Sequence, residues 1–193
     1  MARTTSLVLP LVFLFLLPLA AGCGEASSVD EVAAISFDPC QPLVLGLGPD
    51  ATADQRAGAQ TAVDWWNAAA GGQVSLLVGA SDLAAGASGE PSLSPGEPSL
   101  SPRVVPLHFQ AAAAPSHGFF DPARGQILVN DDLAARPLAV TVAHELGHAF
   151  GLAHVAGRAS VMTAGNLDVQ PNAGDVAALA KRWGACGPSA SPP

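Results

Sequence analysis

Hydrophobic and polar residues alternate along the chain in a pattern that predicts a mixed α/β domain. Between residues 51 and 70, apolar side chains recur at helical spacing, and Gly71 and Gly72 follow where that helix would end. Short apolar runs, which are typical of strands, occupy residues 41–47, 73–78 and 103–110. An amphipathic stretch at residues 175–183 predicts a last helix. Strands and helices in this order favour one α/β (α+β) domain.

Another helix is predicted from Pro137, because proline suits the first turn of a helix. Its apolar residues recur one turn apart and would pack on a sheet: Leu138, Val142, Leu146 and Phe150. This helix contains the sequence HELGHAFGLAH at residues 144–154, which holds three of the five histidines of the chain.

The spacing of these histidines predicts a metal site. His144 and His148 are four residues apart, so they stand on one face of a helix, one turn from each other. His154 can join them only if the helix ends and the chain turns back, and Gly151 supplies a residue that accepts positive φ. Three neutral imidazoles with an open fourth position form a catalytic zinc site, and Glu145 stands where it can reach a zinc-bound water. If the histidines only formed part of the polar face of a helix, nothing would require Gly151 and His154 at these positions.

These residues resemble the signature of the metzincin metallopeptidases, in which the long zinc motif is followed by a methionine turn. Here VAGRASVMTAG follows His154, and Met162 lies eight residues beyond it. The short spacing is similar to that of the matrixin branch. The resemblance implies that Met162 forms a hydrophobic floor beneath the ligands, although methionine also fills ordinary cores.

The resemblance also implies an architecture for residues 38–187. It implies a twisted, mostly parallel sheet with one antiparallel edge strand, an active-site helix and a C-terminal helix. The strand before the zinc helix, GQILVN at residues 125–130, is expected to be the edge strand that lines the cleft. Substrate would pair with it as an added strand, since an edge offers free N–H and C=O groups.

Some features depart from the matrixin pattern. The chain has no tyrosine, and residues 162–164 read Met-Thr-Ala where matrixins have Met-Tyr-Pro. The resemblance therefore does not define the wall of the first primed-side pocket, which is the pocket that would hold the substrate side chain immediately after the scissile bond. Only His108 and His117 remain outside the motif, so a second, structural zinc is not expected. Residues 130–132, Asn-Asp-Asp, are either a solvated acidic turn or a calcium site.

The N-terminus is typical of a bacterial lipoprotein signal. Residues 1–22 contain the apolar run LVLPLVFLFLLPLA, which is short for a membrane-spanning helix, and end in LAAG before Cys23. Cys23 would carry acyl chains that hold the protein on the periplasmic or surface side of a cell membrane, with residues 23–37 as a tether. The alternative is ordinary signal cleavage near Ala21, which would leave Cys23 as a free thiol.

The other two cysteines flank nearly the whole predicted domain. In an exported protein, Cys40 and Cys186 favour a disulfide that closes a very long loop. The rival is a zinc-blocking Cys40 thiolate, as in the matrixin pro-segment, but the sequence DPCQP does not reproduce that motif. The repeat GEPSLSP, present twice in residues 86–102, predicts a flexible loop, and residues 188–193 a disordered tail.

Together these features predict a zinc-dependent endopeptidase in which Glu145 activates water. The formal net charge of −8 provides no basic surface for a phosphate backbone, so nucleic acid is not an expected partner. Expected partners are a protein or peptide substrate and the membrane, and we expect a monomer. The alternatives are a different zinc hydrolase and a surface lipoprotein that keeps the zinc fold as a non-catalytic binding module.

Overall fold

The computed structural model describes residues 35–80, 103–112 and 116–186, which form five strands and three helices. The strands are β1 (Leu43–Leu47), β2 (Leu76–Ala80), β3 (Arg103–Gln110), β4 (Gly118–Asp121) and β5 (Gln126–Asn130). The helices are α1 (Ala53–Ala69), α2 (Ala135–Ala149) and α3 (Ala173–Trp183). No helix in these ranges is long and apolar enough to span a bilayer. Cys23 and its signal segment, the repeat loop and the tail lie outside the described residues.

The strands form one sheet in the order β2-β1-β3-β5-β4. β1, β2, β3 and β5 run parallel, and β4 pairs antiparallel with β5. The predicted fold class, a mostly parallel sheet with one antiparallel edge strand, is therefore confirmed.

The prediction of which strand forms that edge was wrong. Residues 126–130 form β5, which lies inside the sheet because it pairs with β3 on one side and β4 on the other. The edge is β4, a four-residue strand that is too short to show a strand pattern in the sequence. β4 turns back into β5 through Gly125, whose φ of +66° permits the tight connection.

The three predicted helices are confirmed, with ends that differ by a few residues from the sequence prediction. α1 starts after Thr52, where a capping box joins the side chains and backbones of Thr52 and Gln55. α2 starts at Ala135, so Pro137 lies in its first turn, where its missing N–H leaves no helical bond unmade. α3 starts after Asn172, where Asn172 and Asp175 form a second capping box.

The core lies where α1 and α2 pack on the sheet. The apolar face predicted for α2 is buried as expected, and none of Leu138, Val142, Leu146 and Phe150 exposes more than 2% of its surface. Trp66 of α1 packs edge-to-face with Phe150, with 5.5 Å between the ring centroids. The Trp66 indole N–H donates to the Ala143 carbonyl over 2.9 Å. This bond ties α1 to α2 at the position immediately before His144, where the histidine motif begins.

The folded domain begins earlier than the sequence suggested. Residues 35–37 were predicted to belong to the tether, but the Ile35 N–H donates to the Pro122 carbonyl and the Phe37 N–H to the Ala149 carbonyl, both over 2.8 Å. The Phe37 side chain is buried beside Phe120. Ile35 and Phe37 follow the small and polar stretch GEASSVDEVAA, and two large apolar residues are too few to establish a period, so the sequence did not reveal this packing.

The disulfide predicted between Cys40 and Cys186 is present and links positions 146 residues apart. It joins the segment before β1 to the segment after α3. With its sulfur in this bond, Cys40 does not act as the zinc-blocking thiolate that the matrixin comparison raised.

Replacing both cysteines, Cys40→Ser with Cys186→Ser, is expected to lower the free energy of unfolding by about 2 to 4 kcal/mol, because the bond restricts the unfolded chain. Urea unfolding followed by tryptophan fluorescence measures the change. As a control, a reducing agent should destabilise the wild type and leave the double variant unaffected. Equal unfolding midpoints for oxidised wild type and variant would contradict the prediction.

Candidate metal centre

The structure brings together the three histidines of the motif. The Nε2 atom of His154 lies 3.1 Å from Nε2 of His144 and 3.2 Å from Nε2 of His148. The turn predicted at Gly151 is present, with a φ of +81° immediately after the C-terminal end of α2. Within the described part of the chain, these histidines are the one group of three or more His, Cys, Asp or Glu side chains placed to share a metal ion.

The hydrogen bonds of two of these histidines leave their Nε2 atoms free to bind a metal. Nδ1 of His144 lies 2.6 Å from the Val161 carbonyl oxygen, and Nδ1 of His148 lies 2.8 Å from the Leu152 carbonyl oxygen. A carbonyl only accepts, so both Nδ1 atoms carry the proton and both Nε2 atoms keep a lone pair.

The spacing of the Nε2 atoms fits a shared ion. A tetrahedral ion with metal–nitrogen bonds of about 2.0 Å separates its nitrogens by roughly 3.3 Å. The two Nε2 separations, 3.1 and 3.2 Å, are close to that value. The donor set therefore fits a metal ion.

The protonation states suit metal binding as well. The pKa of His144 is lowered to about 4, mainly by burial and to a smaller extent by the neighbouring His148 and His154, while the hydrogen bond to Val161 opposes the shift. Burial also lowers the pKa of His148 below its usual value. Neutral imidazole is the form that binds a metal, so little proton release is needed at neutral pH.

Met162 lies against α2 between the turns that carry the ligands. It is almost fully buried, and a Cβ atom added to Gly147 would collide with its sulfur. Gly147 therefore provides the space that lets Met162 approach the helix. The backbone carbonyl of Met162 also accepts from the Val155 N–H over 3.0 Å, which links this turn to the residue after His154.

A buried carboxylate that the sequence analysis missed supports the same turn. The Asp175 side chain is fully buried at the start of α3. It accepts hydrogen bonds from the hydroxyl of Ser160, the backbone N–H of Val161 at 3.2 Å, the backbone N–H of Asn172 at 3.1 Å and the guanidinium of Arg158 at 3.3 Å. The Val161 carbonyl accepts a hydrogen bond from His144. By holding the backbone of Val161, Asp175 therefore positions this candidate ligand indirectly. The spacing Asn-x-x-Asp, a capping-box pattern, was the available signal.

Glu145 faces the cleft beside the edge strand and does not join the histidine group. A Cβ atom added to Gly118 would lie 3.1 Å from the Oε1 atom of Glu145, which is a tight contact, and 2.6 Å from the Thr141 methyl carbon, so glycine suits the close packing of β4 on this part of α2. Burial raises the pKa of Glu145 to about 7, and a hydrogen bond from the Phe120 backbone opposes that shift.

The site opens into a cleft of about 680 Å³, a size that suits a peptide segment. One side is formed by the three histidines, Glu145 and Thr141 of α2 and the turn that follows. Another is formed by residues 116–120, which contain most of β4. The lining also includes Ile35, Asn166 and Arg182 from other parts of the chain.

Other residues considered in the sequence do not form a second metal site among the described residues. His108 is exposed on β3, and His117 lines the cleft without joining the histidine group. The Asn130 side chain closes its own loop by donating to the Ser116 carbonyl and accepting from the Asp132 N–H. Asp131 and Asp132 are exposed, which favours the solvated turn over a calcium site.

The sequence matches no protein-family model and shows no significant similarity to a curated protein. Among solved structures, a crystal structure of myroilysin aligns over 77% of this chain and 85% of its own, with 14% identity and a TM-score of 0.46. A second myroilysin structure aligns over 62% of this chain and 52% of its own, with 18% identity and a TM-score of 0.36. At these values, the function must be inferred from the site's own geometry.

Proposed function

We propose that this chain is a zinc-dependent endopeptidase, similar to the metzincins and within them to the matrixin branch. The observation that carries the proposal is the convergence of three imidazole Nε2 atoms beside Glu145, in a cleft open along the edge of a sheet. His144, His148 and His154 would hold the metal, and Glu145 would be the catalytic base.

When bound, zinc would lower the pKa of a coordinated water and polarise a peptide carbonyl. Glu145 follows His144 directly in the sequence, so its carboxylate is presented to the same cleft. It would accept a proton from the attacking water and then donate it to the leaving amine. Its buried position next to β4 keeps the carboxylate aimed at the scissile bond of a chain lying along that strand.

The substrate would bind as an extended strand along β4. In the described sheet, β4 is paired on one side only, so its outer backbone groups can bond to another chain. Phe119 of β4 is 55% exposed and lines the cleft, where it offers an apolar surface to a substrate side chain. This proposal moves the substrate-binding role from residues 125–130, where the sequence suggested it, to residues 118–121.

The proposed location is the periplasmic or cell-surface side of a bacterial cell membrane. Disulfides persist in oxidising compartments, and the Cys40–Cys186 bond is typical of an exported protein. Lipidation at Cys23 would then tether the domain to the membrane as a monomer. Metabolic labelling with a fatty-acid probe, with and without Cys23→Ser, tests the anchor.

Peptide cleavage by the purified, zinc-loaded full chain tests the function. We expect new termini in a diverse peptide mixture, read by mass spectrometry, and we expect a chelator to abolish them and zinc to restore them. A matched sample with Glu145→Ala controls for contaminating proteases. If zinc binds stoichiometrically and no peptide is cut, the non-catalytic binding module becomes the better description. Cleavage of esters or other amides alone would indicate a different hydrolase.

A further inference from the structure

One positively charged side chain reaches the cleft from outside the catalytic motif. Arg182, near the end of α3, lines the cleft together with the histidines and Glu145. Its guanidinium lies against Gly151, where an added Cβ atom would collide with it. In the sequence, Gly151 is three residues from both His148 and His154. The guanidinium therefore packs against the segment that connects two of the candidate metal ligands.

Neighbouring contacts fix where Arg182 stands. The Trp183 indole N–H donates to the Phe150 carbonyl over 2.8 Å and so ties the end of α3 to the end of α2. The Arg182 guanidinium carbon lies 5.4 Å from the centre of the Trp183 ring, a cation–π distance that restricts the side chain. Gly151, which supplies the turn needed by His154, also supplies the space for Arg182.

The charge of Arg182 is not neutralised within the described structure. The ion pairs among the described residues join Arg124 with Asp121 and Arg158 with Asp175, and neither includes Arg182. Apart from histidines, the charged side chains that line the cleft are Arg182 and Glu145. A guanidinium with free donors at the wall of a binding cleft is suited to a carboxylate, which it can bind through two parallel hydrogen bonds.

We propose that Arg182 forms a carboxylate-binding subsite that makes the enzyme prefer substrates with a negative charge near the scissile bond. The carboxylate belongs either to an Asp or Glu side chain or to the C-terminus of a short peptide. These sources share one chemistry, and the experiment below separates them. The inference rests on the proposed peptidase function for the nature of its substrate, and it adds a specificity that the catalytic motif does not define.

Matched peptides test the subsite with the purified, zinc-loaded full chain. A cleaved peptide is varied so that each position around the scissile bond carries Glu or its neutral counterpart Gln, and each peptide is made with a free or an amidated C-terminus. We expect kcat/KM to favour Glu over Gln by about tenfold at one position, since Arg182 is exposed and a charge-assisted hydrogen bond there is weakened by solvent. A preference for the free acid over the amide would instead identify the C-terminal carboxylate.

Variants assign the preference to the side chain. Arg182→Gln should remove the preference, so that the ratio of kcat/KM for the Glu peptide to that for the Gln peptide falls to about one. Arg182→Glu should reverse the preference, so that a peptide with Lys at the same position is cleaved best. Lys181→Gln is the matched control, because it removes an exposed cation from the adjacent position of α3 that does not line the cleft. Lys181→Gln should leave the preference unchanged.

Binding separates this proposal from the proposed function. The metal-loaded Glu145→Gln variant, which should not cleave, is titrated with the same fluorescent peptides, with and without Arg182→Gln. If no variant cleaves any peptide but the Glu peptide still binds more tightly through Arg182, the peptidase proposal fails and the subsite stands. If neither cleavage nor binding distinguishes carboxylate from amide in an Arg182-dependent way, the subsite is refuted.

Discussion

Glu145→Gln is expected to lower kcat/KM for peptide cleavage by about 10³- to 10⁴-fold while the protein still binds its metal ion. Among the described residues that line the cleft, Glu145 is the one acidic side chain, so no other carboxylate there can replace it as the base. Glutamine has almost the same shape, so the close packing of this side chain against Gly118 is kept. Only the ability to accept and return a proton is removed.

The expected result requires that metal content and activity be measured on the same sample. Zinc stoichiometry by elemental analysis should equal that of the wild type, and peptide cleavage should fall close to background. His148→Ala is the matched control, because it removes a proposed ligand and should lose both metal and activity. Turnover close to that of the wild type in Glu145→Gln would exclude Glu145 as the base.

Asp175→Ala is expected to lower the free energy of unfolding by about 3 to 5 kcal/mol and to weaken metal binding by about 10- to 100-fold. The substitution leaves three donors and the Arg158 guanidinium without their shared acceptor in a buried place. The Val161 backbone then loses its fixed position. Because its carbonyl orients His144, the effect reaches the metal site although Asp175 touches no ligand.

Two measurements separate stability from metal affinity. Thermal unfolding of the metal-free protein reports the first, and a competition titration against a zinc-binding dye reports the second. Asp168→Ala is the matched control, since Asp168 is exposed in the loop before α3 and its removal should change neither quantity measurably. A normal zinc affinity in a destabilised Asp175→Ala protein would show that the carboxylate supports the fold alone.

The parts of the structure that follow from local spacing were predicted from the sequence. We could group His144, His148 and His154 because helical periodicity and a glycine-dependent turn both depend only on residues that are close together in the sequence. The apolar face of α2 was predicted for the same reason, and the Cys40–Cys186 bond followed from counting cysteines in a chain with a predicted export signal.

The parts that depend on distant contacts were not predicted. β4 is four residues long and acquires its role from its place beside β5, which no local pattern encodes. Asp175 and Arg182 lie in a helix that was correctly predicted, but their contacts with Val161 and Gly151 depend on how α3 packs against the end of α2. Ile35 and Phe37 were missed because two large apolar residues are too few to establish a period.

The dependence of His144 on Asp175 also sets an order of assembly. A chain is made from its N-terminus, so all three histidines emerge well before Asp175 and the turn that it holds. Until α3 has been made and has packed, the Val161 carbonyl has no fixed position and His144 lacks the partner that orients it. The metal centre therefore cannot take its final geometry before the last described helix of the domain has been synthesised and has packed.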